Sequence, residues 1–401
     1  DCVPAPCTDT SCQDVEHRNR CVPNEADGYE TYSCECNVGY IEDLDNPPAC
    51  IMDPDANDWA FFVFLNADNN LESDGYDDVD EMSTAGSTAH VHMVALFDTL
   101  YGDNGDARVI KIEQGSTTLI ENWNEVDMSD WRTLRDFGVW AVEHYPARHY
   151  AMIMWDHGAG WKAEPVKQPL LKGFSNDESG TAGEISISNG DYAQAMAGIV
   201  AASGAKLDLV GFDACLMGMW EVAEASAPYA NYLVASSETE PAAGWPYHAF
   251  LPGLVADYEM TAAELGISIV DAYYNESSDD STLAVTDLTS MDDLATAMDA
   301  FAGELMNNTG LYSEIESLRQ ATQDFYYYDD FRDLQDFAER VSALSSAPAA
   351  LQQAAQDLVD QLNLSIVYSR AQSSHPNSKG LAIYFPGRNS SMDSAYRDSG
   401  A

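Results

Sequence analysis

The chain has 401 residues, 45% of them hydrophobic, with 8 Trp, 13 Phe and 21 Tyr: enough for one large domain and a small one. Its 67 acidic residues against 18 basic ones give a formal charge of -49, which excludes nucleic acid as a partner. The same charge would attract cationic peptides, and it equally suits solubility in salty water. No apolar run approaches the roughly 18 residues that a membrane-spanning helix needs. No signal peptide is visible. The chain starts at Asp1 rather than Met, which reads as a mature or trimmed fragment.

Seven of the eight cysteines fall in residues 1–50: Cys2, Cys7, Cys12, Cys21, Cys34, Cys36 and Cys50. That density points to a disulfide framework in an oxidising compartment, hence a secreted or cell-surface protein. Zinc is the competing reading, but the segment has no CxxC pair. Residues 51–58 are a polar linker, and a second domain runs from Trp59 to the end. Trp59 to Asn66 reads as a buried strand. The acid-rich stretch that follows places Asn70, Glu72, Asp74, Gly75 and Glu81 at positions 1, 3, 5, 6 and 12 of an EF-hand-type loop, a candidate structural calcium site. The plainer alternative is a polar loop entering an acidic helix N-terminus.

His92 to Phe97 is a strand, Ala107 to Ile120 a hairpin and Asp130 to His144 a helix. Ala151 to Trp155 is an apolar run of strand length that stops at Asp156-His157-Gly158. The segment from Trp161 to Gly190 is long and proline-broken, and it holds Lys162, Lys167 and Lys172, three of the six lysines. Asp191 to Ser203 is a helix. Leu207 to Phe212 is a second apolar run, stopping at Asp213-Ala214-Cys215, and Leu216 to Ala225 is read as a helix. Tyr229 to Ser236 and Ser281 to Asp287 are strands. Helices are expected over Thr261 to Tyr274, Met291 to Met306, Phe331 to Ser345 and Pro348 to Leu362. Late strands are expected at Ser365 to Ser369 and Gly380 to Phe385. This alternation predicts an α/β fold, a mainly parallel sheet covered on both faces.

His157 and Cys215 therefore each sit just past the carboxyl end of an expected parallel strand, where open α/β sheets place their ligands. A thiol that attacks a carbonyl needs a proton carrier nearby, and a helix starting after Cys215 would lower its pKa. Glycines beside His157 let backbone N–H groups approach a substrate oxygen. The plain alternatives are an inert buried cysteine and a structural histidine. Asp213 would pair with a basic substrate side chain, or else cap a helix.

The segments DHGAGW and DACLMGMWEVA resemble the histidine and cysteine motifs of the clostripain family of caspase-like cysteine peptidases. WAFFVFLNADNNLE, SSETEPAAGW and SKGLAIYFP resemble further landmarks of that family, in collinear order from Trp59 to Pro386. The resemblance implies a caspase-like three-layer sandwich. It implies Cys215 as nucleophile, His157 as acid–base group and the N–H groups of Gly158 and Cys215 as an oxyanion hole. It assigns Asp213 to a pocket for Arg or Lys. Members with strict basic preference often carry a second Asp where this chain has Ala243. The family also implies self-cleavage between the two motifs in several members, so Lys172, Lys167 and Lys162 are autocleavage candidates. Calcium dependence occurs in some members; no cofactor is expected for the chemistry. The end at Ala401, soon after Pro386, reads as short for the family.

The cysteine gaps of 4, 8, 12, 1 and 13 from Cys7 onward resemble an EGF-like module. That resemblance implies the bridges Cys7–Cys21, Cys12–Cys34 and Cys36–Cys50, and leaves Cys2 for a lost upstream segment or another chain. The expected function is a secreted endopeptidase acting on peptides with a basic P1 residue. The alternatives are a catalytically silent adhesion protein and a peptide ligase working through the same acyl-enzyme.

Overall fold

The computed structural model describes residues 20–23, 32–36, 40–42, 50–52, 56–161, 173–277, 281–326, 328–388, 392–393 and 396. In the cysteine-rich segment these form two antiparallel pairs, β1 (Arg20–Pro23) with β2 (Tyr32–Glu35) and β3 (Tyr40–Glu42) with β4 (Cys50–Met52). Cys36 is disulfide-bonded. Each of the three expected bridges involves a residue or side chain outside the described ones, as does Cys2.

The main domain opens with β5 (Asn57–Ala67), α1 (Glu72–Ala85), β6 (Val91–Thr99), the hairpin β7 (Ala107–Glu113) and β8 (Ser116–Asn124), and α2 (Trp131–His144). It continues with β9 (Ala147–Trp155), α3 (Asp191–Ser203), β10 (Leu207–Asp213), α4 (Trp220–Ser226), β11 (Ala230–Ala235), α5 (Tyr247–Ala256) and α6 (Ala262–Glu276). Then come β12 (Thr282–Asp287), α7 (Met291–Asn307), α8 (Tyr312–Ala321), β13 (Asp324–Phe325), β14 (Tyr328–Asp333), α9 (Leu334–Ser342), α10 (Ala349–Ser365), β15 (Ile366–Ala371) and β16 (Ala382–Tyr384).

A nine-stranded sheet runs in the order β15-β12-β11-β10-β9-β5-β6-β7-β8. Strand β5 shows why it is central. Its alternate residues Ala60, Phe62 and Phe64 enter one core, and Trp59, Phe61, Val63 and Leu65 enter the other. Both sets are fully buried, as a strand covered on two faces requires. Helices α1, α5 and α6 pack on the second face, and α2, α3, α4, α7, α9 and α10 on the first. The result is three layers.

The sheet is mixed rather than mainly parallel. Strands β11, β10, β9, β5 and β6 are parallel neighbours. β12 and β15 add antiparallel on one side, β7 and β8 on the other. These outer strands need not be covered on both faces; β8 is exposed along most of its length. The strand at the chain's end, β16, pairs with β14 in a separate small sheet. Residues 328–333 are strand, and helix α9 begins only at Leu334, because the Asp333 carboxylate caps the Asp336 N–H at 2.8 Å. No helix among the described residues is long and apolar enough to cross a membrane.

Candidate active site

Strands β9 and β10 are parallel neighbours in a register that sets Trp155 beside Asp213. Their carboxyl ends therefore deliver His157 and Cys215 side by side. The two residues line one cavity of about 200 Å³ together with Asn70, Asp213, Glu240, Pro241, Ala242 and Gly244, among others. Gly158 lies against the cysteine backbone: a Cβ there would sit 2.3 Å from Cys215 O and 3.0 Å from Cys215 N, so any side chain would force the two motifs apart.

The turn that presents the thiol is held by the loop after β11. Leu216 takes a left-handed conformation (φ 65°). Its N–H donates to Glu238 O at 3.0 Å, and Gly218 N–H donates to Ser236 O at 2.6 Å. The helix read over Leu216 to Ala225 begins only at Trp220. No helix terminus therefore starts at Cys215 to acidify it. Burial pushes the Cys215 thiol above its ordinary range, and the Glu240 and Gly158 N–H groups only partly offset this. The Glu240 N–H lies 3.2 Å from the sulfur. Burial also lowers the pKa of His157. Both shifts run toward the uncharged forms, thiol and imidazole.

His157 Nε2 is 3.0 Å from Asn70 Oδ1. The amide oxygen accepts, which places the ring hydrogen on Nε2 and leaves Nδ1 as the basic nitrogen. Asn70 thus contacts the candidate acid–base group, a role its residue type did not reveal. The calcium loop proposed for Asn70, Glu72, Asp74 and Glu81 does not form. From Glu72 onward the segment is helix α1, whose hydrogen-bonded turns carry Asp74 and Glu81 away from any common centre. Glu72 Oε1 instead accepts from the N–H groups of Tyr101 and Gly102, at 3.0 and 2.6 Å, and Glu81 pairs with His248 at 2.9 Å.

Asp156 is buried, and its carboxylate accepts from Asn69 Nδ2 at 2.8 Å and from the N–H groups of His157 and Asn176. It shapes the turn around the histidine; the ring itself is met by Asn70. Replacing Asn70 with Ala is expected to lower kcat roughly 3–10-fold, the worth of one neutral hydrogen bond. KM and the thermal midpoint should change little. Steady-state kinetics with an unchanged kcat would remove Asn70 from the machinery.

Asp213 is 4% exposed. Its carboxylate accepts from Trp245 N–H at 3.1 Å and from the Tyr247 hydroxyl at 2.8 Å. Gly244, at φ 55°, lies so close that a Cβ would stand 2.9 Å from Asp213 Oδ1. Ala243 is exposed and does not line the cavity. The second carboxylate is Glu240. Both its oxygens are buried, beside the Asp213 carboxyl and the Trp245 indole. Burial, followed by the charge of Asp213, pushes its pKa well above the ordinary carboxylate range. Sequence reasoning passed over Glu240 because Glu238 lies two residues away in the same motif. Only the fold shows that Glu238 turns elsewhere, to His375 at 2.9 Å and Tyr326 N–H at 2.7 Å.

Lys162, Lys167 and Lys172 lie outside the described residues. The flanking residues are anchored beside the site: Ala159 N–H donates to Gly173 O at 2.8 Å, and Gly158 bridges Phe174.

The sequence profile of the clostripain family matches residues 63–399. Clostripain of Hathewaya histolytica is 27% identical over 403 residues, spanning 82% of this chain and 74% of the relative. A secreted C11 cysteine protease from Bacteroides thetaiotaomicron, solved with an irreversible peptide inhibitor, superposes with a TM-score of 0.63 at 18% identity, covering 85% of this chain and 96% of that one. An inactive zymogen C11 protease from Parabacteroides distasonis superposes at 0.61 with 17% identity, covering 87% and 96%. The solved structures share the fold, and the family profile, matching most of the chain, carries the lineage. The chain belongs to the clostripain family and is a cysteine peptidase.

Proposed function

We propose that this peptidase is secreted and cuts after Arg or Lys, with Cys215 as nucleophile and His157 as proton carrier. The observation that carries the reading is the single cavity in which His157 and Cys215 meet the buried carboxylates of Asp213 and Glu240. His157 Nδ1 takes the proton from Cys215 as the sulfur attacks the substrate carbonyl carbon. The Gly158 and Cys215 N–H groups receive the negative oxygen. The C–N bond then breaks, and the leaving amine takes the proton from His157. Water next gives a proton to His157 and attacks the thioester, releasing the acid and restoring the thiol. The P1 cation would sit on the Asp213–Glu240 pair. A peptide-library profile tests the specificity: Arg and Lys should dominate at P1, and a profile led by acidic or large apolar residues would overturn it.

The seven N-terminal cysteines support an oxidising, extracellular setting. The lysine-bearing segment between Trp161 and Gly173 supports self-activation. It departs beside the histidine and holds the basic residues that the proposed pocket takes. Cleavage is expected after Lys172 or Lys167, and less at Lys162, which adjoins the buried Trp161. Active protein should run as two fragments on a denaturing gel, while the Cys215→Ala variant stays whole. A single chain at full activity would rule this out.

A further inference from the structure

Away from the thiol, four carboxylates converge from separate segments. Asp68 follows β5, Asp98 lies in β6, Glu125 follows β8, and Asp177 belongs to the stretch after Gly173. One oxygen from each lies within 4.8 Å of the others. Asp68 and Asp98 are fully buried, Asp177 is 7% exposed, and Glu125 stands at the exposed rim.

The backbone satisfies only part of this set. Asp177 accepts from Met128 N–H and Gly180 N–H, both at 2.6 Å. Asp98 Oδ1 accepts from Thr99 N–H at 2.9 Å, and Asp68 Oδ2 from Ser179 N–H at 3.3 Å. Asp68 Oδ1 and Asp98 Oδ2 are buried with no donor in reach. Among the described residues, the ion pairs of Lys, Arg and His include none of the four. Buried carboxylates without a counter-charge are costly, and a cation removes that cost.

We propose that Asp68, Asp98, Glu125 and Asp177 hold a calcium ion that fixes the two loops supporting His157. The donor set is all oxygen and anionic, with no sulfur or imidazole, which selects a hard cation. Four protein carboxylates at one point suit calcium, which takes about 6–8 oxygen ligands, better than magnesium, which keeps several waters and is bound through one or two carboxylates.

The link to the active site is short. Asp68 leads directly into Asn69, which donates to Asp156 at 2.8 Å and to Asn176 O at 2.9 Å, and into Asn70, which meets the His157 ring. Asp177 directly follows Asn176, whose N–H holds the other Asp156 oxygen. Glu178 N–H donates to Asp68 O at 2.8 Å. An ion joining Asp68 to Asp177 would therefore clamp both sides of the histidine turn.

The test uses the full chain carrying Cys215→Ala, freed of metal by chelation and dialysis, so that neither autolysis nor activity enters the readout. Calorimetric titration with calcium chloride should show one site, and the thermal midpoint should rise with calcium more than with magnesium. Hydrogen exchange should slow in residues 66–70 and 173–180. Asp98→Asn should weaken calcium binding about tenfold or more, whereas Asp74→Asn, on helix α1, should leave it unchanged. If Asp98→Asn does not fold, Glu125→Gln at the rim should show the same weakening. No binding heat and no midpoint shift would overturn the proposal. So would protection confined to other segments, or binding that survives both Asp98→Asn and Glu125→Gln.

Discussion

Replacing Cys215 with alanine is expected to lower peptide hydrolysis by roughly 10⁴-fold or more while the protein stays folded. The side chain is small and half-buried at the cavity wall, and the turn that carries it is held by backbone bonds from Leu216 and Gly218 that alanine leaves intact. His157→Ala should cost a comparable amount, and the double variant little more, because the two residues act in one proton transfer. The acid limb of the pH profile reports the same pair. Burial lowers the histidine from 6.5, so the imidazole stays neutral, and able to accept the thiol proton, to a pH below its ordinary range. Activity should therefore fall only as pH drops below about 6.5, the ordinary histidine value. Fluorogenic-peptide kinetics across pH, with thermal midpoints for each variant, check both statements. Substantial turnover by Cys215→Ala, or an acid limb centred above the ordinary histidine value, would contradict them.

The second large effect concerns specificity. Asp213→Asn should reduce kcat/KM for Arg and Lys substrates by roughly 10–150-fold, the worth of a charge-assisted hydrogen bond of about 1.5–3 kcal/mol. Glu240→Gln should reduce it in the same direction and should raise the thermal midpoint only toward alkaline pH, where the free protein must ionise the raised Glu240 beside Asp213. The sign with pH follows from the raised Glu240. A carboxyl held protonated by burial loses that proton when a cationic P1 side chain arrives, so affinity for basic substrates should rise with pH through the raised pKa. For folding the sign is opposite. Glu221 is raised from 4.5, and Asp333 from 3.8, each to about 7. Their stabilising contribution is complete below the ordinary carboxylate values and is lost as pH rises toward 7. Thermal midpoints should thus be higher at mildly acidic than at alkaline pH. A Glu240→Gln variant with unchanged P1 preference and unchanged midpoint at alkaline pH would show that the pocket is built from Asp213 alone.

Much of the architecture was legible because its central strands are continuous apolar runs. Trp59 to Asn66 and Ala151 to Trp155 read directly as buried strands, and helical spacing from Asp130 to His144 marked α2, whose first turn the Asp130 carboxylate caps. The antiparallel edges were not legible, because strand direction depends on where the connecting helices place the chain. Helix α5 was missed: it contains Pro252 and begins without a side-chain cap. The acidic stretch after Asp68 carried EF-hand spacing by residue type alone, and tertiary packing of Val79 and Met82 made it a helix against a weak intrinsic propensity. His157, Cys215 and Asp213 were legible because each ends a strand. Glu240, Asn70 as the histidine's partner, and the four-carboxylate cluster were not, since each becomes visible only when separate segments are brought together.

The most direct test is covalent. An irreversible thiol-directed inhibitor carrying a P1 arginine should label the protein once, and peptide mapping by mass spectrometry should place the label on Cys215. His157→Ala should slow the labelling, Asp213→Asn should weaken its dependence on the arginine, and Cys215→Ala should abolish it. Label on any other residue, or equal labelling by a probe with an acidic P1 residue, would contradict the proposed pairing of Cys215 with a pocket for basic side chains.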